Sequence, residues 1–292
     1  MKITDILSKK ARTLSFEVFP PKTYDKFDTV RDATEEIAAL RPDYMSVTYG
    51  AGGSGAKYTL PIAAGIEQKF AVPVIHHLTC VESTTDSIDE KLMFMRMVGV
   101  QNILALRGDI PAGSDPSAWA FAHADELCAY IKKRGDFCVG GACYPEKHPE
   151  AATLDEDIDN LKKKVGAGCD YLTTQLFLDN AVYYRFVEKL RAAGIDVPVI
   201  AGIMPVTSVK QFDRIEALSG SAIPDKLLNI AGKYAEDPAG MRAAGLEFAK
   251  GQIEELYRSG VRNIHVYTMN SASVAREIID SFSDMRGCGY GQ

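Results

Sequence analysis

The chain has 292 residues, 46% of them apolar and 25% charged, which is ordinary globular usage and argues against collagen-like, low-complexity and coiled-coil architectures. Its 33 Lys and Arg against 39 Asp and Glu leave a net charge of −6 with no long basic run, so nucleic acid is not an expected partner. The N-terminal MKITDILSKKARTLSFEV mixes charges into its first turns and offers no continuous apolar stretch for a signal or a membrane span, so a cytoplasmic chain without membrane attachment is expected.

Short apolar or β-branched runs occur along the chain at LSFEVF (from Leu14), YMSVTY (from Tyr44), PVIHHLT (from Pro73), NILALR (from Asn102), FCVGGACY (from Phe137), DYLTTQLF (from Asp170), VPVIAGIMPV (from Val197) and NIHVYT (from Asn263). Each reads as a strand. The segments between them carry helical spacing, as in Phe27, Val30, Ile37 and Leu40, or Leu154, Ile158, Leu161 and Val165 behind a Thr153/Glu156 capping-box pattern. Six cysteines, Cys80, Cys128, Cys138, Cys143, Cys169 and Cys288, are scattered without a CxxC pair, which fits reduced thiols and argues against both a disulfide framework and structural zinc.

Successive runs start roughly 30 residues apart, the length of one βα unit, and the gap from Val197 to Asn263 is about twice that. This spacing, with no linker or composition break, predicts a single (β/α)8 barrel domain over 1–292, with an extended helical segment between strands seven and eight. That segment contains helical stretches around Val209–Leu218 and Gly240–Tyr257, separated by the turn-like AIPDK and the polar AEDPAG. A doubly wound open sheet is the alternative. An open sheet serving a dinucleotide would carry G-x-G-x-x-G after its first strand, where this chain has Pro20-Pro21-Lys22.

In a barrel the loops after the strands converge on one mouth, and polar residues do crowd the run ends: Glu17, Thr48 with Tyr49, His77 with Thr79, Arg107 with Asp109, Tyr144, Gln175, and Tyr267 with Asn270. Glu17 lies among Phe16, Val18 and Phe19; desolvation there would raise its pKa and equip it as a proton donor, whereas an ion pair with Lys22 or Arg107 would make it structural. LRGD, Leu106–Asp109, ends the fourth run, either as a ligand-contacting loop that Gly108 lets approach closely or as a turn in which Arg107 and Asp109 balance each other. His76 and His77 occupy adjacent strand positions and point to opposite faces, so they do not share a metal, and no metal is expected. His148 in YPEKHPEA is either a ligand contact or solvent-exposed. Lys162–Lys164 form either a solvated helix face or a phosphate contact, and the glycine-rich Gly50–Gly55 either cradles a phosphate or turns the chain.

Taken together, SFEVFPPK, SVTYGAGG, HLTC, ALRGD, YPEKHPEA, TTQLF, GIMPV and HVYTMN resemble, in order and spacing, the methylenetetrahydrofolate reductase family, from about Thr13 to Asn270. The resemblance implies a (β/α)8 barrel that holds FAD at the strand C-termini without a dinucleotide fold. The implied cofactor contacts are Thr48 beside the nicotinamide and, on the flavin, Tyr49, Ala51, His77, Arg107, Gly108, Asp109, Ala124, Tyr144, His148, Ala151, Asp157, Asn160, Lys163 and Lys164, the two lysines meeting the pyrophosphate. Lys163 stands where the family often has Arg.

The resemblance further implies Glu17 as general acid, Asp109 as a pterin- and flavin-tuning carboxylate, and Gln175 as a shared contact of folate and nicotinamide. The reaction would be a ping-pong reduction of 5,10-methylenetetrahydrofolate by NADH or NADPH through FAD. At the substrate positions Asn229 replaces a usual Gln, Ala231 a bulky residue and Ser271 an Arg. Similar proteins self-associate, so a homo-oligomer is expected. Two alternatives remain open: a flavin-free pterin-binding methyltransferase barrel, and an FAD-bearing subunit taking electrons from a protein redox partner.

Overall fold

The computed structural model describes residues 1–50, 55–111, 113–219 and 222–283. Eight parallel strands close in sequential order into a barrel. They are β1 (Thr13–Val18), β2 (Met45–Val47), β3 (Val74–Thr79), β4 (Asn102–Leu106), β5 (Cys138–Cys143), β6 (Tyr171–Thr174), β7 (Val199–Ile203) and β8 (Asn263–Tyr267). Every expected strand is present, which settles the alternative of an open sheet in favour of the barrel. The seam pairs β1 with β8 and places Glu17 beside Tyr267 on one side and beside Ser46 on the other.

Strand alternation divides the chain's apolar groups into two layers. Leu14, Phe16 and Val18 of β1 face outward into the main core between strands and helices. The intervening Ser15 and Glu17 therefore face the barrel interior. Tyr44, Ile75, Leu104, Cys138, Tyr171 and Ile200 form a second cluster at the N-terminal end, together with Ile3, Ile6 and Leu7 of a short helix, α1 (Ile3–Lys9). This helix plugs the bottom of the barrel. Its three apolar residues at i, i+3, i+4 spacing are almost fully buried, which stabilises its docking by roughly 1.5–3 kcal/mol each. Asn102 fixes its start, accepting from the Ile3 amide at 2.9 Å and donating to the Met1 carbonyl at 3.1 Å.

Helices α2 (Phe27–Ala39), α3 (Ala56–Phe70), α4 (Thr85–Val98), α5 (Ala124–Arg134), α6 (Leu154–Gly166) and α7 (Asn180–Ala192) follow the strands one by one. At the start of α6 the Thr153 hydroxyl accepts from the Glu156 amide, but the Glu156 carboxylate reaches the Ala152 amide rather than that of Thr153, so half of the expected capping box forms. The long seventh connection holds three helices, α8 (Lys210–Ser219), α9 (Asp225–Lys233) and α10 (Pro238–Arg258), before β8 and α11 (Ala272–Ser281). The segment AIPDK, expected as a turn, supplies the first residues of α9. Leu227 drives this, being fully buried against Leu176, Val206, Phe212 and Met241. Five of the six cysteines lie in the described residues, all free and buried. Among the described residues no acid, histidine and cysteine cluster could hold a metal, and no helix is long and apolar enough to cross a membrane.

Candidate active site

Inside the barrel, the residues that alternation turns inward from β1, β2, β3 and β8 meet at mid-height. Ser15 Oγ lies 2.7 Å from His265 Nδ1, His265 Nε2 lies 3.0 Å from Ser46 Oγ, and Ser46 Oγ donates to Glu17 Oε2 at 3.2 Å. His265 Nε2 and His77 Nε2 stand 3.7 and 3.5 Å from the same carboxylate oxygen. With Ser46 donating to Glu17, the His265 ring presents Nε2–H to Ser46 and accepts from Ser15 at Nδ1. Tyr44 stacks parallel on that ring at 6.2 Å. Glu17 thus forms the upper end of a hydrogen-bonded chain rising from the barrel interior.

Neither cation considered from the sequence pairs with Glu17. Arg107 instead forms a bidentate pair with Glu150 at 2.5 and 2.8 Å, so it balances neither Glu17 nor Asp109. The expected upward pKa shift of Glu17 is also corrected. Burial does push the carboxyl up, but the His265 ring 3.7 Å away, the nearby His77 and the Ser46 hydroxyl together outweigh burial and hold it below its ordinary value. The sequence shows the apolar neighbours on the strand; the opposing polar groups come from other strands.

His76 and His77 face opposite ways as expected. His76 packs outward against the edge of Tyr49, and His77 points at Glu17. Burial pushes His77 down to about 4, so it is neutral at neutral pH, and its Nε2 has no hydrogen-bond partner.

The floor of the mouth is built across β6, β7 and β8. Ladder pairing between β6 and β7 runs through Leu172 and Thr173, after which Thr174 uses its side chain, Oγ1 accepting from the Gly202 amide at 2.9 Å. The Thr174 carbonyl is taken by the Tyr267 hydroxyl at 2.5 Å. Gln175 donates its amide to the Cys143 carbonyl at 2.7 Å, and its side-chain oxygen accepts from the Leu176 amide.

Around the rim, Gly108 adopts φ +89°, and a Cβ there would come within 2.9 Å of Val81 Cγ2, so glycine keeps the Arg107–Asp109 loop down on β3. Asp109 is exposed. Tyr144 meets His148 edge-on at 4.7 Å, the His148 amide donates to buried Asp157 at 2.8 Å, and the Ala151 amide closes a turn on the His148 carbonyl. Ala124 is the first residue of α5 and is buried; Tyr49 is buried, and Thr48 is half-buried at the end of β2. Ala51 lies outside the described residues, as does most of the glycine-rich loop.

The lysine run divides by environment. Lys163 is exposed and bonds Asn160 within its own helix, whereas Lys164 lies along Gly141 and donates to the Ala142 carbonyl at 2.7 Å. Asn229 is exposed on α9. Ser271 is the N-cap of α11, accepting from the Val274 amide, and borders a cavity of about 330 Å³ that also reaches Arg242, Gln211 and Tyr267. The structure therefore brings Glu17 and His77 together, gathers Arg107, Tyr144, His148, Ala151 and Asp157 along one rim, and leaves Asn160, Lys163 and Asn229 on exposed surface.

The methylenetetrahydrofolate reductase family model matches residues 2–283. The chain belongs to this family. Its relatives include the 5,10-methylenetetrahydrofolate reductases of Escherichia coli strain K12, 34% identical over 91% of this chain and 88% of that protein, and of Pectobacterium carotovorum, with 34% identity and the same two coverages. Methylenetetrahydrofolate reductase (NADH) 1 of Arabidopsis thaliana is 35% identical over 92% of the chain, which spans only 48% of that longer protein. Among solved structures, an uncharacterized Clostridium thermocellum protein described as binding two copies of 5-methyl-5,6,7,8-tetrahydrofolic acid shares the fold, with a TM-score of 0.65 and 17% identity over 95% of this chain and 99% of that one.

Sequence reasoning missed Ser15, Ser46 and His265 as partners of Glu17. A signal existed, since Ser15 and His265 stand two residues before Glu17 and Tyr267 on their strands and share their inward face. Only the closure of β8 on β1 shows that the two strands are neighbours.

Proposed function

We propose that this member of the methylenetetrahydrofolate reductase family reduces 5,10-methylenetetrahydrofolate to 5-methyltetrahydrofolate, with NADH or NADPH as electron donor and FAD as the intermediate carrier. The observation that carries the reading is the inward-facing Glu17 with its Ser46–His265–Ser15 chain below it, in a barrel whose family is assigned over nearly its whole length. The described ligand of the Clostridium thermocellum protein supports a folate-class ligand for such a barrel.

The residues present fit a flavin. His77 Nε2 is buried without a hydrogen-bond partner, and the Gly108 position admits no side chain where the LRGD loop descends to the mouth. Tyr49, Ala51, His77, the Arg107–Asp109 loop, Ala124 and the Tyr144–Ala151 loop with Asp157 would hold it, and Asn160, Lys163 and Lys164 would meet its phosphates once their present internal bonds yield. When bound, the flavin supplies the hydride relay between nicotinamide and folate.

The chain's own residues supply placement and a proton. Opening the methylene bridge of the folate requires protonation of the departing N10, and Glu17 delivers that proton. In the open mouth the Glu17 side chain retains 20% exposure. Substrate seated over the mouth removes that solvent and raises the carboxyl's pKa, so it carries its proton when the bridge opens. Ser46 and His265 hold the carboxylate before and after transfer and connect it to Ser15 for proton exchange. The Glu17 carboxylate left after the transfer favours a cationic iminium above it. Asp109 at the rim pairs with the pterin amino edge, while Thr48 and Gln175 orient the ring that occupies the shared slot. Asn229 and Ser271 would contact the folate tail.

An anaerobic titration tests the reading: the purified protein is yellow, bleaches with NADH or NADPH and recolours on adding methylenetetrahydrofolate. Colourless protein that binds folate overturns it in favour of flavin-free methyl transfer. Protein that holds FAD but is bleached by neither nucleotide overturns the donor assignment in favour of a protein redox partner.

A further inference from the structure

We propose that Tyr267, seated over Gly202, is a positioning residue that fixes the Thr174–Gln175 peptide and thereby the reach of the Gln175 side chain into the substrate slot; this rests on the functional reading above. The carbonyl of Thr174 and the amide N–H of Gln175 belong to one planar peptide unit. Regular ladder pairing has ended just before that unit, so on the β7 side the backbone no longer holds it. The Tyr267 hydroxyl reaches across β7 from β8 and donates to the carbonyl at 2.5 Å. From the other side the Cys143 carbonyl of β5 accepts the N–H at 2.7 Å. Held at both ends, the plane cannot rotate, and the amide side chain that follows starts from a fixed Cα.

Gly202 makes the reach possible. A Cβ at that position would lie 2.5 Å from the Tyr267 hydroxyl oxygen, 2.8 Å from its ring and 2.5 Å from the Thr174 carbonyl oxygen, so any side chain would displace the phenol or the peptide. The Gly202 amide is itself tied to Thr174 Oγ1, which keeps β7 in line under the ring. Tyr267 also sits beside Glu17 in the β1–β8 register and edge-on to His265 at 5.5 Å. One phenol therefore sets the span between the proton donor on β1 and the amide after β6.

The experiment combines backbone exchange with half-reaction kinetics on Tyr267→Phe and Gly202→Ala in the FAD-loaded protein. Amide hydrogen exchange at Gln175 accelerates about fivefold or more in both variants, the effect of losing one neutral hydrogen bond. The KM for methylenetetrahydrofolate rises about fivefold to tenfold in Tyr267→Phe, with kcat within about twofold. Gln175→Ala alone and Gln175→Ala with Tyr267→Phe share one folate KM, since the phenol acts through the amide. Unchanged Gln175 exchange, an unchanged folate KM in Tyr267→Phe, or KM effects that multiply in the double variant overturn the assignment. A wild-type protein that reduces no folate overturns the functional reading instead, and the exchange rates still decide whether the phenol braces the peptide.

Discussion

His76 offers a stringent thermodynamic test of how the barrel wall is packed. It is 2% exposed, its Nδ1 lacks a partner, and burial, reinforced by His77 and Lys91, pushes its pKa from 6.5 down to about 3. In the unfolded chain the imidazole protonates below about pH 6.5, while the native state refuses the proton until near pH 3. The unfolded state therefore binds more protons across that window, and stability is lost as pH falls through it. Near pH 4.5, about two pH units below the unfolded pKa, the loss from this one histidine is roughly 3 kcal/mol. His76→Leu removes the titration while conserving most of the volume and deleting an orphaned polar atom, so at about pH 7.5 its stability stays within ~1.5 kcal/mol of wild type. Urea unfolding of both proteins at the two pH values measures the difference. His77 titrates in the same direction in both and cancels. An identical loss in the two proteins between pH 7.5 and 4.5 contradicts a buried neutral His76.

Gly140→Ala places a Cβ 2.3 Å from the Tyr171 ring, and because both lie in the barrel interior the expected cost is about 1–3 kcal/mol, read as a lower Tm in calorimetry. A Tm equal to wild type contradicts the contact. Ser46→Ala removes the hydroxyl shared by Glu17 and His265, so the Glu17 pKa rises. Glu17's depressed pKa contributes stability above its unfolded value of 4.5 that fades as pH falls through the folded value. Ser46→Ala is therefore expected to cost about 1–2 kcal/mol at neutral pH and less in acid, and denaturation at both pH values checks the sign.

Much of the fold is legible in the sequence, because barrel strands buried on both faces announce themselves as short apolar runs at βα spacing. Helix α9 was hidden by Pro224, which reads as a turn but sits at the N-cap position, and α1 was hidden by its seven-residue length. For the site, adjacency along a strand is readable: His76 and His77 separate to opposite faces, and Glu17 turns inward between Phe16 and Val18. Closure is not. Ser15 and His265 are 250 residues apart yet hydrogen-bonded, and the same closure supplies the groups that reverse the pKa direction expected for Glu17 from its neighbours alone. Arg107 likewise finds its partner in Glu150, a residue of the next βα loop that no local pattern marks.

The role of Glu17 is measured most directly by separating the two half-reactions of Glu17→Gln in anaerobic stopped flow. Flavin reduction by NADH or NADPH is expected to stay within about twofold of wild type, while reoxidation by methylenetetrahydrofolate falls by at least ~100-fold, the usual weight of a general acid. Equal losses in both half-reactions, or an intact folate half-reaction, contradict the proton-donor role.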